Sequence, residues 1–108
     1  MSLERTGPAG QFLFTAEGRA AVQVMYRNGG AGDQYAQGGY EATFGRYTVD
    51  EQTHTFIFHI DGALVRTLVG KDLRRTYTLV GSQLIVEPAD KAEHWRVVWT
   101  RESTGRTR

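Results

Sequence analysis

Seven stretches of the chain alternate apolar and polar residues with a period of two: 11–16, 20–26, 41–50, 54–61, 73–80, 83–87 and 95–101. That period puts successive side chains on opposite faces of a strand. The gaps carry Gly, Asp, Asn or Pro, the residues that turn a chain. The pattern predicts an all-β fold, an antiparallel meander curling into a barrel of about seven strands. The first hairpin is the clearest. Phe12 and Phe14 share a face, Ala16-Glu17-Gly18-Arg19 turns, and Ala20 to Tyr26 returns. The last has a Gly81-Ser82 turn between residues 76–80 and 83–87. Thr55-Phe56-Ile57-Phe58 is apolar on both faces, which predicts cover on both sides.

Between the strands, residues 63–71 read as an irregular connection over the rim, and residues 88–93 as one helical turn. The polar ends bound the domain. Residues 1–9 are expected to be a flexible arm, 10–101 the barrel, and 102–108 a disordered tail.

At 108 residues the chain makes one domain, because halves of that length could not bury a core. A hydrophobic content of 40% excludes a disordered chain. Thirteen Lys and Arg against twelve Asp and Glu leave a net charge of +1. No single-sign field exists to attract a polyanion, so no nucleic-acid partner is expected. Cysteine is absent, which removes disulfides, thiolate catalysis and Cys-ligated zinc. No apolar run is long enough to cross a membrane. Met1-Ser2-Leu3-Glu4-Arg5 lacks the apolar core of a secretory signal, and a cytoplasmic protein is the expectation.

The glycine-rich run Arg27-Asn28-Gly29-Gly30-Ala31-Gly32-Asp33 is followed by neither Lys nor Ser, so it reads as a flexible lid or crossover and not as a phosphate cradle. His54 and His59 are five apart, on opposite faces of a strand, and His94 has no second ligand at a known spacing. No metal site is predicted. Ser2, Ser82 and Ser103 do not sit in a strand-to-helix elbow, which argues against a serine nucleophile. His59 and Asp61 share a face and could form an imidazole oriented by a carboxylate at the barrel mouth. The competing reading is two solvated polar residues at a strand end. Leu73, Arg75, Tyr77 and Leu79 share the more apolar face of their strand, so Arg75 is the inward arginine and Arg74 the outward one. An inward guanidinium would hold a carboxylate or enolate; an exposed basic edge that deters strand addition is the alternative.

Three stretches carry a family resemblance. They are Phe14-Thr15-Ala16-Glu17-Gly18-Arg19-Ala20-Ala21-Val22-Gln23-Val24-Met25; Phe44-Gly45-Arg46-Tyr47-Thr48-Val49-Asp50-Glu51; and the run from His59-Ile60-Asp61-Gly62 through Leu73-Arg74-Arg75 to Val98-Trp99-Thr100-Arg101. In order and spacing they resemble the bacterial lipocalin-like domain family over about residues 12–101. The family's N-terminal Gly-x-Trp strand has no counterpart before Phe12, and its His-His pair is Phe58-His59 here, so no paired-imidazole site carries over. A barrel short of strands leaves backbone edges unpaired, which predicts a homodimer with residues 56–58 near the contact.

The resemblance implies binding of a small hydrophobic or amphipathic molecule in the lumen, with no cofactor. The predicted wall is Phe14, Val24, Tyr47, Phe56, Phe58, His59, Arg75, Tyr77 and Trp99. A cyclase or isomerase acting on a hydrophobic metabolite is the second class, with Tyr47, His59 or Arg75 supplying acid–base or electrostatic help. A ligand-free structural or interaction module is the third. Aromatic rings can line a cavity or fill it, and a barrel of few strands is expected to be filled unless two chains combine.

Overall fold

The computed structural model describes residues 2–5, 9–26 and 34–101, the first four by their backbone alone. The glycine-rich loop 27–33 and the tail 102–108 lie outside the described residues. The strands β1 (Ser2–Arg5), β2 (Ala9–Phe14), β3 (Arg19–Met25), β4 (Tyr40–Asp50), β5 (Thr55–Ala63), β6 (Asp72–Val80), β7 (Gln83–Pro88) and β8 (Val97–Arg101) pair antiparallel in chain order. Seven of them, β2 to β8, are the meander the alternation predicts.

The eighth is a correction. β1 lies in the segment expected to be a flexible arm, and it fills the seam between β2 and β8. Leu3 pairs with Phe12 on one side and with Arg101 on the other. Four residues are too few to display a period, so the alternation gave no signal there. The ring closes within one chain, and the unpaired edges that motivated a homodimer are satisfied internally.

The pairing register fixes which side chains face inward. Phe12 opposes Val22, Val24 opposes Glu41, Tyr47 opposes Phe58, Phe56 opposes Arg75, and Leu84 opposes Trp99. These residues all face the lumen. Phe12, Val24, Phe58, Ile60, Leu84, Val86 and Trp99 are buried there, each contributing roughly 1.5–3 kcal/mol through apolar burial. The apolar Phe56-Ile57-Phe58 segment is covered as predicted on the inside, where Phe56 and Phe58 belong to the core; Ile57 faces outward and is half-buried.

The ends of the barrel differ. Tight turns join β2–β3, β4–β5 and β6–β7 at one end. In the last, Gly81 at φ 59° occupies the first central position of a two-residue loop, the place a type II′ turn reserves for glycine. The longer connections gather at the other, loop end. There residues 63–71 contain a single 3-10 turn, Arg66–Leu68, whose Leu68 is buried against the core. Residues 89–96 form a hydrogen-bonded turn, Glu93 N–H to the Asp90 carbonyl at 3.1 Å, in place of the expected helical turn. Asp90 Oδ1 accepts the Ala92 N–H at 2.9 Å, a local bond that competes with helix. β8 consequently starts two residues later than the alternation suggests, and Trp95 belongs to the loop.

Candidate functional site

The lumen is hollow and divided, where a filled core was the expectation for few strands. A chamber of about 430 Å³ lies at the loop end and one of about 760 Å³ at the turn end. Both fall within the range of small-molecule sites. Phe12 and Phe56 line both chambers, and no other described residue does. Their ring centroids are 6.4 Å apart, and Phe12 also lies edge-on to Trp99 at 5.5 Å. These rings form a waist across the barrel.

The loop-end chamber is built around Arg75. β6 carries this side chain inward, and only 9% of the residue is exposed. Its guanidinium carbon lies over two rings brought by different loops, 5.2 Å from the Tyr35 centroid and 4.8 Å from the Trp95 centroid. A cation held over aromatic rings is attracted by their faces, and the guanidinium has five N–H donors with which to make hydrogen bonds as well. One Nη1 bond reaches the Arg74 carbonyl at 3.4 Å. The ion pairs among the described residues, Arg46–Asp61 and His59–Asp72, both lie on the outer face and exclude Arg75.

Glu93 ties the two loops together. Its Oε1 accepts from Tyr35 Oη at 2.6 Å, Trp95 Nε1 at 2.9 Å and Gln34 Nε2 at 3.3 Å. Burial pushes the Glu93 carboxyl up, but the Tyr35 and Trp95 bonds and the Arg75 charge together hold it below the ordinary glutamate range. The Tyr35 hydroxyl is raised, first by burial and then by its bond to Glu93, against the pull of Arg75. A depressed carboxylate stabilises the folded form above its unfolded pKa, and that contribution disappears as pH falls through the folded value. The clasp between loops 34–36 and 89–96 is therefore expected to loosen in acid, below about pH 4. Trp95 emission should report the transition, and Glu93→Gln should remove its pH dependence; an identical acid transition in that variant would refute the assignment.

The turn-end chamber is more apolar and more open. Phe14, Tyr47, Val49, Phe56, Tyr77 and Leu79 form much of its wall, yet Val49 is 50% and Leu79 69% exposed where they reach the rim. His54 also lines it. This residue closes the β4–β5 turn at φ 54°, its ring stacked on Tyr77 at 5.6 Å. Asp50 Oδ1 accepts the Gln52 N–H at 3.0 Å and so nucleates that turn.

Of the predicted wall, Val24, Phe58, Arg75 and Trp99 line the loop-end chamber and Phe14, Tyr47 and Tyr77 the turn-end chamber, with Phe56 at the waist. His59 does not join them. It lies between inward Phe58 and Ile60 and therefore points outward, its Nδ1 at 2.7 Å from Asp72 Oδ1. Asp61, its expected partner, instead receives Arg46 Nε and Nη2 at 3.3 and 3.2 Å. Cross-strand register decided this, since Asp72 stands directly opposite His59. Substituting His59→Ala is expected to leave lumen binding unchanged, as a titration of tryptophan emission would verify. Tyr47 Oη donates to the Thr15 carbonyl at 2.6 Å, a structural bond across the first turn. Among the described residues no group of three or more His, Asp or Glu is placed to hold a metal.

Sequence reasoning missed Tyr35, Glu93, Trp95 and His54 as site residues. The aromatics in otherwise polar loops, Tyr35 and Trp95, were the available signal. A closed antiparallel barrel with a divided, lined interior defines a small single-chain β-barrel protein. The sequence matches the lipocalin-like domain family over residues 8–102, and the chain belongs to that family. A search of the curated proteins finds no match. Among the described residues no helix is long and apolar enough to cross a membrane.

Proposed function

We propose that the barrel binds a small amphipathic molecule whose anionic group, a carboxylate or enolate, meets Arg75 while its apolar body lies in the lumen. One observation carries this reading: a buried guanidinium faces a cavity with no carboxylate at ion-pair distance among the described residues. Glu93 feels the Arg75 charge without reaching ion-pair distance; a buried guanidinium without a direct partner is costly, and an anionic ligand supplies that contact. Contact with the Tyr35 and Trp95 rings restrains the guanidinium, which reduces the ordering cost of a bidentate contact. Val22, Val24, Leu73 and Trp99 on the same wall suit a hydrocarbon body.

The test is a titration of intrinsic fluorescence, since Trp95 and Trp99 both line this chamber. Alkyl carboxylates are expected to change the emission saturably, and alcohols of equal length to bind more weakly. Equal response to acid and alcohol would remove the role of Arg75. No response to either would remove the carrier reading and favour an interaction module. The cyclase or isomerase reading is weaker on these grounds, because Tyr47 Oη is engaged by backbone and His59 faces outward.

A further inference from the structure

We infer that the turn-end chamber is a second, separately loaded site, which takes an uncharged apolar molecule. The inference rests on the reading of the lumen as a ligand site and adds to it that the waist divides that lumen. The two chambers share Phe12 and Phe56 and otherwise have different walls. Phe12 is fixed from several sides, its ring centroid 5.4 Å from Phe14, 5.5 Å from Trp99 and 6.4 Å from Phe56. The dividing rings are therefore part of the packed core and not mobile surface groups.

The chemistry on the two sides is unlike. The loop-end chamber has a buried arginine and a hydrogen-bonded glutamate beneath two clasped loops. Among the described residues the larger chamber has no buried charged side chain. Its ionisable lining residues Glu51, His54 and Arg101 are all exposed at the rim. Its interior is aromatic and aliphatic, with Phe14, Tyr47 and Tyr77 bracketing Phe56. Phe14 meets Tyr47 edge-on at 5.7 Å, and Phe56 lies 6.3 Å from Tyr77. A wall of ring faces and edges with its charges confined to the rim favours a neutral aromatic or polycyclic body over an anion. Exposed Val49 and Leu79 give such a molecule an apolar threshold at the mouth.

The experiment uses two probes on the whole protein: octanoate for the Arg75 chamber and the uncharged dye N-phenyl-1-naphthylamine for the turn-end chamber. The dye is expected to gain fluorescence saturably, and saturating octanoate to leave its affinity unchanged. Leu79→Asp, at an exposed rim position that tolerates substitution, should weaken dye binding about tenfold by placing a charge in the apolar mouth while octanoate binding is retained. Phe56→Ala, which opens the waist, should turn simultaneous binding into competition. Competitive displacement of the dye by octanoate in the unaltered protein overturns the inference, as does octanoate binding without any dye binding. Dye binding sensitive to Leu79→Asp but with no response to octanoate supports the second site and removes the carboxylate reading. Failure of both probes removes both.

Discussion

Gly45→Ala is expected to destabilise the barrel by about 3 kcal/mol, the upper part of the range for forcing extra volume into a packed interior. In a domain of this size that lowers the melting temperature by about 15 °C. Gly45 faces inward opposite Ala20 on one side and Ile60 on the other, where the β4–β5 register shifts between Phe44 and Gly45. A Cβ there would collide with the His59 carbonyl oxygen and come within 2.9 Å of the Asp61 nitrogen. Both are backbone atoms of the neighbouring strand, so no rotamer change relieves the contact. The shift in register leaves Asp61 of β5 without a partner on β4, a bulge of the kind that bends the strand carrying the extra residue. Thermal or urea denaturation followed by circular dichroism gives the answer. A variant as stable as the parent would mean that the strands separate there without cost.

Arg75→Leu is expected to weaken alkyl carboxylate binding about ten- to a hundredfold, the loss of hydrogen bonds to a charged group worth roughly 1.5–3 kcal/mol. Binding of the matching alcohol should change little. The ligand-free protein should keep its stability to within about 1 kcal/mol, because two opposing effects meet at this residue. Loss of the contact with the Tyr35 and Trp95 rings costs about 1 kcal/mol, while removal of a buried charge in favour of an apolar side chain is often neutral or stabilising. A residue that contributes little to folding yet much to affinity is one whose place is set by its ligand. Calorimetric titration beside thermal denaturation separates the two. A large loss of stability with unchanged carboxylate affinity would make Arg75 a structural clasp between the loops and nothing more.

The inward placement of Arg75 was legible because alternation is a local property. Leu73, Tyr77 and Leu79 mark the apolar face of β6, and any residue in phase with them follows. The same logic put His59 and Asp61 correctly on one face. It was silent on whether that face is the inner one and on who stands opposite. Asp72 lies 13 residues further along the chain, and only the β5–β6 register brings it beside His59. His54 illustrates the converse. At the edge of a predicted strand it read as one more strand residue, whereas the Asp50 turn rotates it into the left-handed region and over Tyr77. Turn residues break the period that strands keep.

From the sequence alone followed the antiparallel meander of β2 to β8 and, within a strand, which residues share a face, since each depends on spacing along the chain. Tertiary structure decided the rest. It inserted β1 into the seam, clasped Tyr35, Glu93 and Trp95 from two separate loops around Arg75, and left the interior hollow on either side of Phe12 and Phe56. These outcomes depend on how far apart opposite walls stand once the ring is closed. No local pattern encodes that distance, because strand count, tilt and register set it together.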